Sequence, residues 1–178
     1  MKLYVFTEEA SMKETLKVVL PKLGLKKGTF QIIDFKGVGN LERSLERQLR
    51  AISAPDARFL VLRDNDRGDC TARKRRLVGM VKASGRIGQT KVRIVCQMLE
   101  GWFIGDAIAL ETSKHLKNAI PRRLKTCDPD EVSDAKKELS RLHPGYGEIS
   151  GAKAIAPHLA FDSRPGVRDA RGPADHRS

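Results

Sequence analysis

Cysteine is scarce in this chain: Cys70, Cys96 and Cys127 are an odd number with no Cys-x-x-Cys spacing. Such a set suits neither a disulfide framework nor a thiolate metal knuckle, so a reduced, cytoplasmic protein is expected. The four histidines, His115, His143, His158 and His176, lack the spacing of zinc ligands. No apolar run approaches the ~20 residues of a bilayer-spanning helix, and the N-terminus has no apolar signal region. Aromatics make up only 5% of the residues, few for a surface on which bases stack. Membrane and zinc roles are therefore set aside.

Positive charge, by contrast, is abundant. The 178 residues carry a formal charge of +12, which favours a polyanionic partner. Residues 58–100 hold 11 Lys or Arg against 4 acids. Within that excess, Arg63, Arg67, Arg73, Lys74 and Arg76 are the candidate nucleic-acid contacts, since phosphates are bound mainly by such side chains. The competing reading is a solvated helix face, because four consecutive cations at 73–76 cannot all point one way.

The apolar pattern predicts an α/β fold with a four-stranded, mostly parallel open sheet between helices and a helical C-terminal part. Strands are expected at Lys2–Thr7, Thr29–Phe35, Phe59–Asp64 and Lys91–Cys96. A capping box of Ser11 and Glu14 opens the first helix, which Pro21 ends or kinks. Gly37 and Gly39 make the turn into the second, with Asn40 as its cap and Leu41, Leu45, Leu49 and Ile52 on its inner face. The lone Gly-x-Gly lacks the third glycine of a dinucleotide site. A third helix spans Thr71–Lys82 with Leu77 and Val81 inward. Further on, Asp128 and Pro129 start a helix that ends near Leu142, and another covers Gly151–Leu159. Residues 1–160 read as one domain and 161–178 as a disordered tail of Arg, Asp, Pro and Gly.

Acids gather where strands end. The third strand stops at Asp64, and Asp66 follows two residues on, so in an extended chain both carboxylates project to one side. Gly68 then lets the backbone turn. Ligands of open α/β sheets bind beyond the carboxyl ends of the strands, where paired acids suit a hard ion such as Mg²⁺ or Mn²⁺. Asp, Asn and Gly are equally ordinary turn residues, and Asp69 suits a helix cap. Glu8 follows the first strand and Glu100 the fourth. Asp106 lies one turn beyond Trp102, on one helical face. Glu100 alternatively serves as a favourable acid at a helix start, and Trp102 as a core aromatic.

Glu after a first strand, Asp-x-Asp after a later one and a further acid downstream resemble Toprim domains, found in topoisomerases, primases and overcoming-lysogenization-defect nucleases. More closely, four segments resemble the bacterial Toprim-like group called domain of unknown function family 4276. They are Glu-Glu-Ala-Ser-Met (8–12), Leu-Arg-Asp-Asn-Asp-Arg-Gly-Asp-Cys (62–70), Leu-Glu-Gly-Trp-Phe-Ile-Gly-Asp (99–106) and Ser-Gly-Ala-Lys-Ala-Ile-Ala-Pro-His-Leu (150–159). The resemblance implies that Glu8, Asp64 and Asp66 bind metal and that Glu100 and Asp106 are group-specific additions. It also implies a Toprim fold, and similar proteins are suspected of acting in phage defence beside an ATPase partner.

The expected activity is Mg²⁺-dependent hydrolysis of a nucleic-acid phosphodiester. Glu8, Asp64, Asp66, Glu100 and Asp106 supply the acids, and Lys153, Arg63 or Arg67 offsets charge on the phosphate. One alternative is a non-catalytic module that binds nucleic acid or a partner and holds a structural ion. A phosphatase of the haloacid dehalogenase type is another; there Thr or Val normally follows the Asp-x-Asp, whereas Arg67 follows here.

Overall fold

Leu3 to Phe6 pack alternately onto two faces, which makes Lys2–Thr7 a strand (β1) buried on both sides. A computed structural model describes residues 1–161 and shows what surrounds it. The other strands are β2 (Phe30–Asp34), β3 (Ala57–Asp64) and β4 (Thr90–Val95). All pairings are parallel and the order is β2-β1-β3-β4. The path steps outward from β1 to β2, returns across β1 to β3, and continues to β4. β1 and β3 are thus the central neighbours at which the winding reverses.

Two apolar layers cover the sheet. Helices α2 (Val38–Ala51) and α3 (Cys70–Ala83) pack on one face, where Leu41, Leu45, Leu49, Leu77 and Val81 are fully buried. Each such side chain stabilises by roughly 1.5–3 kcal/mol relative to exposure. Helix α1 (Ala10–Lys22) and the C-terminal helices share the other face, with Leu16, Val19, Phe103, Leu110, Leu139 and Ile155 buried. These C-terminal helices are α4 (Glu100–Ile104), α5 (Ala107–Thr112), α6 (Arg122–Thr126), α7 (Ala135–Leu142) and α8 (Glu148–Ile155).

Several local expectations are corrected. Ser11 and Glu14 form no capping box: Glu9 precedes the helix, the Ser11 hydroxyl donates to its carboxylate at 3.3 Å, and Glu14 pairs with Lys17. Gly37, not Asn40, precedes α2, because its φ of 118° suits glycine and its N–H donates to the Glu8 carbonyl at 2.8 Å. Trp102 and Asp106 do not share a helix, since α4 ends at Ile104 and Asp106 caps α5. The helix expected from Asp128 to Leu142 divides into a 3₁₀ turn capped by Asp128 and α7 capped by Asp134. Asp69, by contrast, caps α3 as its place in the sequence suggested, accepting from Thr71 and Ala72 N–H. The tail expected over 161–178 lies, beyond Phe161, outside the described residues.

Candidate functional site

β1 and β3 run in register, Thr7 beside Leu62, so their C-terminal ends deliver Glu8 and Asp64 to one edge of the sheet. Glu8, Glu9, Met12, Leu62 and Asp64 line a tight recess there, too small as it stands to admit a water molecule, at the reversal point where open α/β sheets bind ligands. Glu8 is 9% exposed, and its buried Oε2 has no hydrogen-bond donor among the described residues. The Arg63 Nε stands 3.8 Å from that oxygen, too far for a bond. Among the described residues Asp64 accepts only the Leu99 N–H, at 3.4 Å.

These carboxylates are short of compensating charge. Burial, then the charge of Asp66, pushes the Glu8 pKa up to about 7 against the pull of Arg63. Burial and the Glu9 charge push Asp64 up to about 8, with Asp66 and Glu100 adding to the rise. Glu9 is raised by burial and by Glu148, and Glu100 chiefly by burial. Tyr146 donates to Glu100 Oε1 at 3.3 Å, and burial beside that acid raises the phenol's own pKa.

Asp66 reaches the cluster by a different route from the one expected. Asp66 and Arg67 have φ of 45° and 59°, so the chain is not extended across residues 64–66 and the same-side argument fails. Gly68 is not the residue that turns. The loop is pinned to the end of β4 instead: Asn65 N–H donates to the Val95 carbonyl and Asp66 N–H to that of Gln97. The Asp66 side chain is 52% exposed, with the Arg73 guanidinium 4.0 Å away.

Other candidates are placed elsewhere. Asp106 uses both oxygens on backbone: Oδ1 accepts from Ala109 N–H and Oδ2 from Ala160 N–H, each at 2.9 Å. It holds the chain after α8 against the start of α5, a structural task. Arg63 is 7% exposed, donating to Glu42 at 2.6 Å, and so does not face a phosphate at the surface. Arg76 also pairs with Glu42, and Arg67 with Asp134 and the Ser133 carbonyl. Lys74 on α3 and Lys153 on α8 are exposed, without an acidic partner among the described residues. The lysine tied to the acids is Lys136, paired with Glu148; that bond raises its pKa, and the Glu100 and Glu9 charges add to the rise.

Lys136, Tyr146 and Glu9 were not candidates from sequence. Only Glu9 left a signal, as the second acid of a pair at the end of β1; no period or spacing marks the other two.

The residues fit a hard divalent cation by chemistry: an all-oxygen set of acids, mutually repelling, with a buried orphan oxygen. Among the described residues, however, no three His, Cys, Asp or Glu side chains are close enough together to hold a metal ion as they stand.

A family model, domain of unknown function DUF4276, matches residues 7–163. The chain belongs to that family. Two solved structures are similar to it, both of the C-terminal region of the Xanthomonas campestris pv. campestris OLD protein, one phased with mercury and one with iodine. Each is 14% identical, over 92% of this chain and 88% of the other, with TM-scores of 0.56 and 0.50. At that identity the likeness speaks for the fold alone, and this chain's own sheet is open and parallel as the strand–helix order implied. No curated protein matches the chain. Among the described residues no helix is long and apolar enough to cross a membrane.

Proposed function

We propose that this DUF4276 protein is a Mg²⁺- or Mn²⁺-dependent hydrolase of nucleic-acid phosphodiesters. The observation that carries the reading is the shared pocket of Glu8, Glu9 and Asp64 at the reversal point of the sheet. Glu8 and Asp64 would hold the cation, with Glu9 and Asp66 completing the acidic surround and Glu100 held in place by Tyr146. A divalent ion at such a site supplies activation of a water and neutralisation of phosphate charge. The chain's own part is electrostatic. Burial and the Glu9 charge hold the Asp64 pKa near 8, so the carboxyl favours its protonated form, and a cation held there would favour the ionised one. Lys136 and the exposed cations of α3, Lys74 among them, would offset charge on the substrate. By resemblance the proposal extends to a cytoplasmic protein acting in phage defence beside an ATPase partner.

The test is Asp64→Asn. Turnover of single- and double-stranded DNA and RNA with Mn²⁺ should fall by about 100-fold or more, while the melting temperature is kept or rises. Cleavage that survives the change removes Asp64 from the mechanism.

A second reading, a non-catalytic binding module, is favoured by one observation, that among the described residues no three His, Cys, Asp or Glu side chains stand as a ready ligand sphere, which a structural ion would need as much as a catalytic one. Salt-sensitive binding without product in any metal would select it.

A further inference from the structure

Beyond the acidic pocket, the β3–α3 loop and helices α6 and α7 enclose an open cleft of about 570 Å³. Arg67, Arg123, Lys137 and Arg141 line it, together with Glu131 and with Asp134 and Glu138, which pair with the arginines. The arginines are held in place by the latter two acids. Arg123 Nη2 and Arg141 Nη1 donate to the two oxygens of Glu138, at 2.5 and 2.6 Å. Arg67 is fixed by Asp134 at 2.9 Å and by the Ser133 carbonyl at 2.7 Å. Each guanidinium therefore keeps donors with no protein partner among the described residues: Nη1 of Arg67, Nη1 of Arg123 and Nη2 of Arg141. Lys137 has no acidic partner among the described residues either.

Oriented guanidiniums with spare donors match phosphate oxygens better than they match a monodentate anion. The cleft also adjoins the acids. Arg67 follows Asp66 directly, and α7 carries Lys136 to the acid cluster while the next residue, Lys137, lines the cleft. The geometry points to a phosphate-binding subsite that holds the backbone of a polynucleotide several bonds away from the scissile phosphate. This deepens the proposed function and rests on it for the identity of the ligand, although the binding itself needs no hydrolysis.

The experiment is binding of short labelled single-stranded and duplex oligonucleotides to the whole chain in EDTA, followed by anisotropy across a salt series. The double variant Lys137→Gln/Arg141→Gln should bind about tenfold more weakly, with the slope of log affinity against log salt reduced by about one to two. Glu138→Gln frees two arginines and should tighten binding about threefold, a gain that damage to the fold would not produce. Unchanged affinity and slope in both variants would overturn the subsite. Inorganic phosphate is titrated in parallel. If the double variant loses phosphate binding but holds oligonucleotides like the parent, the cleft serves a small anion and the polynucleotide assignment falls. Asp64→Asn separates the two ideas, because it should keep oligonucleotide binding whatever it does to cleavage. A parent protein that binds through the cleft but forms no product with any metal would sink the hydrolase and leave the subsite standing.

Discussion

The pocket of Glu8 and Asp64 and the cleft of Arg67, Arg123 and Arg141 are joined by the loop from Asp64 to Arg67, yet they manage charge in opposite ways. In the pocket, carboxylates are buried close together with only the distant guanidiniums of Arg63 and Arg73 to offset them, so their charge is poorly compensated until something arrives. In the cleft, each arginine already has an acid; the guanidiniums are in solvent although Glu138 is largely buried, and the pairing mainly sets direction. The pocket therefore stores an unfavourable interaction that a cation relieves, whereas the cleft offers pre-aimed donors at little energetic cost.

The sharpest way to break this contrast is pH. Glu8 and Asp64 have folded-state pKa values of about 7 and about 8, above the ordinary 4.5 and 3.8. Between those limits the folded chain binds more protons than the unfolded one, so stability should fall as pH rises from about 4 to 8. The loss should amount to several kcal/mol without divalent ions, and Mn²⁺ should reverse it most strongly at the alkaline end. Thermal melts across pH, with EDTA or Mn²⁺, check both signs; a flat profile would place the two acids in solvent.

A smaller effect is expected at Glu42, which holds buried Arg63. Glu42→Ala leaves that guanidinium with only a distant Glu8 and should destabilise by about 3 kcal/mol in urea unfolding. Asp106→Ala removes a cap and the tie to Ala160, and should cost about 1–2 kcal/mol with metal affinity unchanged. Reduced Mn²⁺ affinity in that variant would return Asp106 to the site. In the cleft, Arg123→Ala should change stability by under about 1 kcal/mol, since its pair with Glu138 is exposed at the arginine end. A larger loss would make the cleft a structural clamp.

Much of this arrangement was legible along the chain because it is local. An uninterrupted apolar run gave β1 and helical spacing the inward faces of α2 and α3, for which Leu45 and Leu77 are buried as their spacing required. The ends of β1 and β3 gave Glu8 and Asp64. The C-terminal helices were harder to read: five- to eight-residue elements such as α4, α6 and α7 carry too few turns for a period, and their starts depend on caps like Asp134. Arg63 looked like a surface cation because its burial depends on Glu42, twenty-one residues earlier on another element.

The order of residues alone determined four strand–helix units and an acid after β1, β3 and β4, since propensity and burial pattern act over a few neighbouring positions. Which acids meet was decided only in three dimensions. The adjacency of β1 and β3, the left-handed turn at Asp66 and Arg67, and ion pairs from α7 bring together groups far apart in sequence, and contacts of that range leave no periodic trace in the chain.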